Sequence, residues 1–303
     1  MEQFDITYFQ SYCARLNIPK WVIEKYDEPH RYWHNMEHII NMMISALKRD
    51  MMSDYLFKAI IYHDAFYDPM ANDNEERSAA LCHEREIQQA ILSTKDHIAV
   101  SPLSKQLIDL DCEVLYGDFP AFMDFEHKIF KEYQWVDLYS YKKARVPILK
   151  KLGVCQQYLD YVECREPNIA LMPGSFNPFT KGHLNILEKA ERIFDKVILA
   201  RGINPVKPAP EFNMPEILKY RQQITYDGLL TDAINNLDHD VTVVRGLRNA
   251  TDFDYELNQY RWMQEFKLNL KVVNIICDMG FEHVSSSAIR QLKTFNKESN
   301  FLL

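Results

Sequence analysis

Two groups of residues in this chain have types and spacings that can do chemistry. In the second half, the apolar run IALM (169–172) leads into Pro173-Gly174-Ser175, and Thr180-Lys181-Gly182-His183 then opens a helix. Arg245-Gly246-Leu247-Arg248 follows VTVV (241–244), and Ser285-Ser286-Ser287 follows VVNII (272–276) by a short loop. A tight turn permitted by Gly174 and a helix start offer unpaired backbone N–H groups and a positive dipole end, which suit the oxygens of a triphosphate. His183 sits where an imidazole could donate to a phosphate. Two guanidiniums at the carboxyl end of a strand and three hydroxyls at another helix start would add fixed charge and donors. Each feature alone also reads as ordinary α/β punctuation, a surface arginine pair or a capped helix. Their joint placement after three strands points to one anion-binding site.

In the first half, His34 and His38 are spaced i, i+4 in YWHNMEHII, which places both imidazoles on one helical face. His63-Asp64 follows KAIIY, and Asp111 lies in LIDLDCEVL. Two imidazoles and two carboxylates converging on one cavity suit Mn²⁺, Fe²⁺, Mg²⁺ or Ni²⁺ better than a thiolate-seeking metal. Such a metal could activate water against a phosphate ester. Solvated or core polar residues are the plain alternative for an isolated His-Asp pair.

The elements that must carry these groups differ between the halves. Only Gly117 and Gly153 precede residue 166, whereas Gly174, Gly182, Gly202, Gly228, Gly246 and Gly280 follow it; His30, His34, His38, His63, His83, His97 and His127 crowd the first half. Apolar residues recur at helical spacing through Ile39, Ile40, Met43, Ile44 and Leu47, through Leu56, Ile60 and Ile61, and through Phe122, Phe125, Ile129 and Phe130. After Glu166-Pro167-Asn168 come short β-rich runs at 169–172, 197–200, 241–244 and 272–276, separated by helix-length stretches. That alternation predicts a parallel sheet with crossover helices. The expected organisation is an all-α helical domain over 1–165 and an α/β, Rossmann-like domain over 166–303.

The 303 residues suffice for two cores. A formal charge of -8 argues against broad nucleic-acid binding but not against a local basic pocket. The six cysteines are scattered without a CxxC pair, so neither a zinc ribbon nor a disulfide framework is expected. No apolar run reaches the roughly 20 residues of a spanning helix, and MEQFDITYFQ lacks the order of a signal peptide. A cytoplasmic protein without a membrane or nucleic-acid partner is expected.

PGSFNP, TKGH, the lysine of NPVKP, RGLR, DFDYE and SSSAIR occur in the order found in phosphopantetheine adenylyltransferases, and residues 168–292 resemble that family of the nucleotidylyltransferase superfamily. The resemblance implies transfer of AMP from ATP, with Mg²⁺, to 4'-phosphopantetheine or another phosphate-bearing acceptor. Gly174, Ser175, Phe176 and His183 would meet the ATP phosphates, with Lys207 and Arg248 holding the triphosphate and the reacting centre. Arg245 would address the acceptor phosphate, and Glu256 with Ser285, Ser286 and Ser287 would seat ATP. A homo-oligomer, with a hexamer as one form, is also implied. Departures from the family pattern are Met263-Gln264 in place of Asn-Arg, Asn177 in place of Asp, a short segment from Phe212 to Gln223 and a tail that stops soon after Arg290. Met263-Gln264 and the short tail motivate an alternative acceptor, a mononucleotide such as nicotinamide mononucleotide.

EPHRYWHNMEHI, YHDAFYDPMANDNEERSA, STKDH and LIDLDCEVLYG make residues 20–150 resemble predicted metal-dependent phosphohydrolases of the HD superfamily. This second resemblance implies His34, His63, Asp64 and Asp111 as the metal set. Glu76 and His97 become candidates for water activation or phosphate contact, and His38 for phosphate binding or support of a ligand. The whole chain then reads as a bifunctional enzyme. The alternative makes its first half a nucleotide-sensing or assembly module without turnover.

Overall fold

The computed structural model describes residues 6–203 and 215–303. The chain forms two compact units, Met1–Glu132 with Arg145–Glu163, and Tyr133–Ala144 with Cys164–Leu303. Among the described residues no helix is long and apolar enough to cross a membrane.

The described residues of the first unit contain helices and no strand. Residues spaced for a helical stripe bury together: Ile39, Met42, Met43 and Ala46 from the helix Met36–Lys48, Leu56, Phe57, Ile60 and Ile61 from Asp54–Tyr62, and Leu103, Leu107 and Leu110 from Pro102–Asp111. The ends of these helices carry the polar groups of interest. The Asn35 side chain accepts from the N–H groups of Glu37 and His38, so the first of these helices begins at Met36. His34 therefore precedes the helix and does not share a helical face with His38, contrary to the expectation from their spacing. His63 follows the last turn of Asp54–Tyr62, and Asp111 closes a helix that a Ser101–Ser104 capping box opens.

The second unit is built on five parallel strands: β1 (Ile169–Gly174), β2 (Lys196–Gly202), β3 (Gln223–Tyr226), β4 (Thr242–Leu247) and β5 (Lys271–Ile276). Their order is β3-β2-β1-β4-β5. The helix Lys181–Glu191 buries Ile186, Leu187 and Ala190 against one face. On the other face lie Ile234 and Met263, from the helices Leu230–Asn235 and Ala250–Phe266. Four strands coincide with the expected apolar runs. β3 escapes that pattern because it is a short sheet-edge strand in which exposed Gln223 and Thr225 alternate with half-buried Ile224 and Tyr226.

Residues 133–144, expected with the first half, pack instead with the second unit, and one buried cation helps to hold them there. The Lys196 ammonium donates to the carbonyl of Gln134 at 2.8 Å and to that of Val136. The Gln134 side chain donates to the Asp195 carbonyl at 3.1 Å, and the Gln222 N–H donates to Gln134. Burial pushes the Lys196 pKa down to about 7, against the opposing charge of Asp137.

β1 and β4 pair only through Ala170 with Thr242 and Leu171 with Val243. Beyond that point the strands part, and the following connections run to opposite sides of the sheet. Two glycines keep the gap open: a Cβ at Gly174 would lie 2.7 Å from the Phe176 ring, and one at Gly246 would lie 2.8 Å from Ile186 Cγ1. Gly246→Ala is expected to destabilise the second unit by about 1–3 kcal/mol through overpacking. Calorimetry should show its transition lowered; an unchanged transition would contradict the close approach.

Candidate functional site

A cavity of about 280 Å³ opens where β1 and β4 part. Its walls include Gly174 and Phe176 from the end of β1, Gly182 and His183 from the next helix, Arg245 and Arg248 from the end of β4, Glu256, and Ser285 with Ser286. Open α/β sheets bind ligands at such a switch point.

Thr180 caps the helix that carries His183. The Thr180 side chain accepts from the His183 N–H, and the Thr180 backbone N–H donates to His183 Nδ1 at 3.0 Å. Nδ1 is thus an acceptor, and the neutral ring must carry its proton on Nε2. Burial, reinforced by the charge of Arg248, pushes the His183 pKa down to about 4. The cavity therefore has a neutral imidazole in its wall whose remaining nitrogen is a fixed donor.

The arginines are held differently. Arg248 makes a two-pronged contact with Asp252, Nε at 2.7 Å and Nη2 at 2.8 Å, and Asp252 also accepts the Arg248 N–H. Arg245 Nε stands 3.1 Å from Glu256 Oε2, yet both atoms are buried and neither has a hydrogen-bond partner. Burial raises the Glu256 pKa, although Arg245 opposes it. This imperfect pair leaves a buried guanidinium N–H available to an incoming oxyanion.

The serine triplet divides by position. Ser285 caps the helix Ser286–Lys293 through the Ala288 N–H, and the Ser286 hydroxyl donates to the Pro178 carbonyl at 3.0 Å. Ser287 is exposed and accepts from Arg290 at 2.8 Å; Ser175 is exposed as well, and neither lines the cavity. Lys207 lies outside the described residues, as does part of the segment from Phe212 to Gln223. Met263 packs into the sheet core and Gln264 donates to the Tyr260 hydroxyl, so these two departures do not line the cavity.

A cytidylyltransferase-like family model matches residues 171–292. Phosphopantetheine adenylyltransferase of Porphyromonas gingivalis is 38% identical over 148 residues, which are 45% of this chain and 94% of that protein. The enzyme of that name from Clostridium perfringens is 35% identical over 145 residues, 44% of this chain and 87% of its own length. That of Mycoplasma capricolum is 34% identical over 138 residues, covering 43% and 99% respectively. Through its second half, the chain belongs to the phosphopantetheine adenylyltransferase family. Cys277 and Phe281 also line the cavity of this adenylyltransferase-family half and were not singled out from sequence, and Asp252 and Tyr255 line it from the DFDYE motif, where neither had been given a role. Asp252 had a readable signal, an acid three residues after the cap Asn249.

The first unit holds a separate cluster. Ligand atoms of His38, His63 and Asp64 lie within 4.8 Å of one another. His63 Nδ1 bonds to the Ile60 carbonyl at 2.8 Å, which leaves Nε2 as the nitrogen facing the cluster. His63 Nε2 and Asp64 Oδ2 face each other at 3.0 Å, both buried and both without a hydrogen-bond partner. Two orphaned donor atoms side by side fit a divalent ion. Asp111 joins them: its Oδ1 lies 3.1 Å from His38 Nε2 and 3.8 Å from His63 Nε2. Burial opposes charge on His63, but Asp64 and Asp111 together hold its pKa well above the ordinary value.

His34 stands beside this group, its ring 6.3 Å from that of His38, and its Nδ1 meets Glu132 Oε2 at 2.5 Å. Arg31, its side chain fully buried, ties the His34 and Asp64 segments together by donating to the carbonyls of His34 at 3.1 Å and Asp64 at 2.6 Å. Glu76 points elsewhere, to Lys95 at 2.5 Å. Its neighbour Glu75 is half-buried, and burial and the charge of Asp64 raise its pKa. His97 groups with Asp111 and Cys112 at a left-handed backbone position, φ 59°. Arg31, Glu75 and Glu132 were not legible as site residues, because nothing in their local spacing marks them.

The His183 geometry makes a direct prediction for the protein without ligand. Its ¹⁵N shifts should show a neutral ring protonated on Nε2 from pH 5.5 to 9; a midpoint near 6.5 would contradict it. Because burial lowers the folded-state pKa from 6.5 to about 4, the folded chain binds fewer protons within that window. This group's contribution to stability should therefore fall as pH drops from 6.5 to 4.

Proposed function

We propose that the second half transfers the adenylyl group of ATP to 4'-phosphopantetheine, giving dephospho-coenzyme A and pyrophosphate. The observation that carries this reading is the single cavity shared by His183, Arg245, Arg248, Ser285 and Ser286 at the carboxyl ends of β1 and β4. An oxygen of the acceptor phosphate attacks the α-phosphorus, the α–β bridging P–O bond breaks, and its electron pair leaves with pyrophosphate. No enzyme nucleophile is required, so positioning and charge neutralisation carry the rate. His183 donates through Nε2–H to a phosphate oxygen, Arg248 braced by Asp252 meets the triphosphate, and Arg245 exchanges Glu256 for the acceptor phosphate. Mg²⁺ supplies further neutralisation of the triphosphate when bound. The same reading makes the protein a homo-oligomer, and the helix Ala250–Phe266 leaves Tyr255, Trp262 and Phe266 exposed along one side for such packing. Light scattering of the full chain decides that point, and a monomer at working concentration would count against it.

For the first unit we infer an HD-type, metal-dependent phosphohydrolase acting on a phosphoester or nucleotide. His34, His63, Asp64 and Asp111 would hold the divalent ion, with His38 hydrogen-bonded to Asp111. When bound, the ion supplies a Lewis acid that activates water and polarises the phosphoryl group. The orphaned pair His63 Nε2 and Asp64 Oδ2 supports this over a module without metal. Glu75 is better placed than Glu76 to move a proton beside Asp64.

With ATP and 4'-phosphopantetheine, His183→Ala and Arg245→Ala should each lower kcat/KM by roughly 10²–10³, measured as pyrophosphate release. Nicotinamide mononucleotide in the same assay should be a far poorer acceptor, and the reverse preference would move the reading to a mononucleotide enzyme. In a phosphoester screen of the full chain with Mn²⁺, turnover should vanish in Asp64→Asn while adenylyl transfer persists. An inert wild-type chain would instead favour the non-catalytic module.

A further inference from the structure

Glu132 is a buried carboxylate of the first unit with five described hydrogen-bond contacts, and the metal-dependent reading gives it no task. Its side chain is 0% exposed. Oε1 accepts the consecutive backbone N–H groups of Tyr32, Trp33 and His34 at 2.8, 2.7 and 2.9 Å. Oε2 meets His34 Nδ1 at 2.5 Å and accepts from the Tyr67 hydroxyl at 2.6 Å. The Tyr67 ring stacks on the His34 imidazole, with centroids 4.2 Å apart and planes 26° apart. One carboxylate and one phenol thus fix the backbone, the plane and the Nδ1 contact of a single histidine.

We propose that Glu132 is a positioning residue for the metal site, holding His34 as the Nδ1–H tautomer so that Nε2 presents a lone pair to the ion. This rests on the metal-dependent reading of the first unit. An ionised carboxylate only accepts, so the ring nitrogen facing it must donate, and in the neutral ring the other nitrogen is then the ligand atom. A buried carboxylate is tolerated where donors satisfy its oxygens, as the three backbone N–H groups, the Tyr67 hydroxyl and His34 Nδ1–H do here. His34 is its only ionic partner among the described ion pairs, so the charge of Glu132 reaches the site through that ring. A carboxylate behind a ligating histidine raises the basicity of the ligand and orients it.

Glu132→Gln separates this role from simple support of the turn at Tyr32–His34. The amide oxygen can still accept the three backbone N–H groups, but the amide N–H₂ then faces Nδ1 and favours the opposite tautomer. Mn²⁺ binding to the full chain, without ATP, should be followed by electron paramagnetic resonance and titration calorimetry, with His63→Ala as the background. We expect wild-type binding above that background and affinity about 10- to 100-fold weaker in Glu132→Gln. In a His34→Gln background, Glu132→Gln should cause little further loss, whereas an equal loss there would assign Glu132 to structural support alone. Long-range ¹⁵N spectra of the metal-free protein, recorded at a pH where the ring is neutral and with the His34 signal assigned by its absence in His34→Gln, should show Nδ1–H in wild type and Nε2–H in Glu132→Gln. Should Glu132→Gln not fold, Tyr67→Phe keeps the stacking, removes one donor to Oε2 and should weaken Mn²⁺ several-fold. No Mn²⁺ binding by wild type would overturn the metal reading, and an unchanged tautomer in a folded Glu132→Gln would overturn the Glu132 inference whatever the metal does.

Discussion

The parting of β1 and β4 is the constraint on which the adenylyltransferase-family half depends. Two strands that pair over two residues and then lead to helices on opposite faces leave a crevice that no side chain of the sheet fills. Glycines at the two rims keep the backbone close to whatever enters, since a Cβ at either position would meet Phe176 or Ile186. Charge then follows from position alone. A residue just past the end of β1 reaches the crevice with helix-start geometry, and a residue at the end of β4 reaches it with a guanidinium. A chain of net charge -8 can therefore bind anions, because the field that matters is that of a few oriented donors in a partly dry hollow.

Much of this was legible in the sequence, and the parts that were not share a physical cause. β1, β2, β4 and β5 announce themselves because parallel strands covered on at least one side read as runs such as IALM or VILA, while β3 lacks such a run because half of it faces solvent. The TKGH helix start and the RGLR strand end were legible because their spacing is local. The spacing of His34 and His38 misled for a local reason too: Asn35 between them is a better cap than a helical residue, so the helix starts at Met36, two positions later than the i, i+4 pattern requires. Residues 133–144 were misassigned because their attachment runs through the backbone carbonyls of Gln134 and Val136, which carry no sequence signature, to a lysine some sixty positions away. Glu132 is hidden in the same way. In sequence it is one more acid at the end of an amphipathic helix, and only the fold brings it to His34, 98 residues earlier.

The two sites also show how one side chain is given opposite polarity by its surroundings. His183 and His34 are both imidazoles whose Nδ1 is engaged by the protein, leaving Nε2 for other work. At His183 the partner is a backbone N–H of the cap residue, so Nδ1 accepts and Nε2 must donate, which suits a phosphate oxygen and repels a cation. At His34 the partner is a buried carboxylate, so Nδ1 donates and Nε2 in the neutral ring is left with a lone pair, which suits a metal and repels an oxyanion. Burial acts with the partner in the first case, because an imidazole that only receives a hydrogen bond from an amide gains nothing from becoming charged, and its pKa falls to about 4. In the second case burial works against the partner, and the carboxylate prevails, holding the His34 pKa above its ordinary value. Neither outcome can be read from the residue type. Each follows from whether the atom behind the ring is a donor or an acceptor, and that choice is made by the local backbone at Thr180 and by a distant helix end at Glu132.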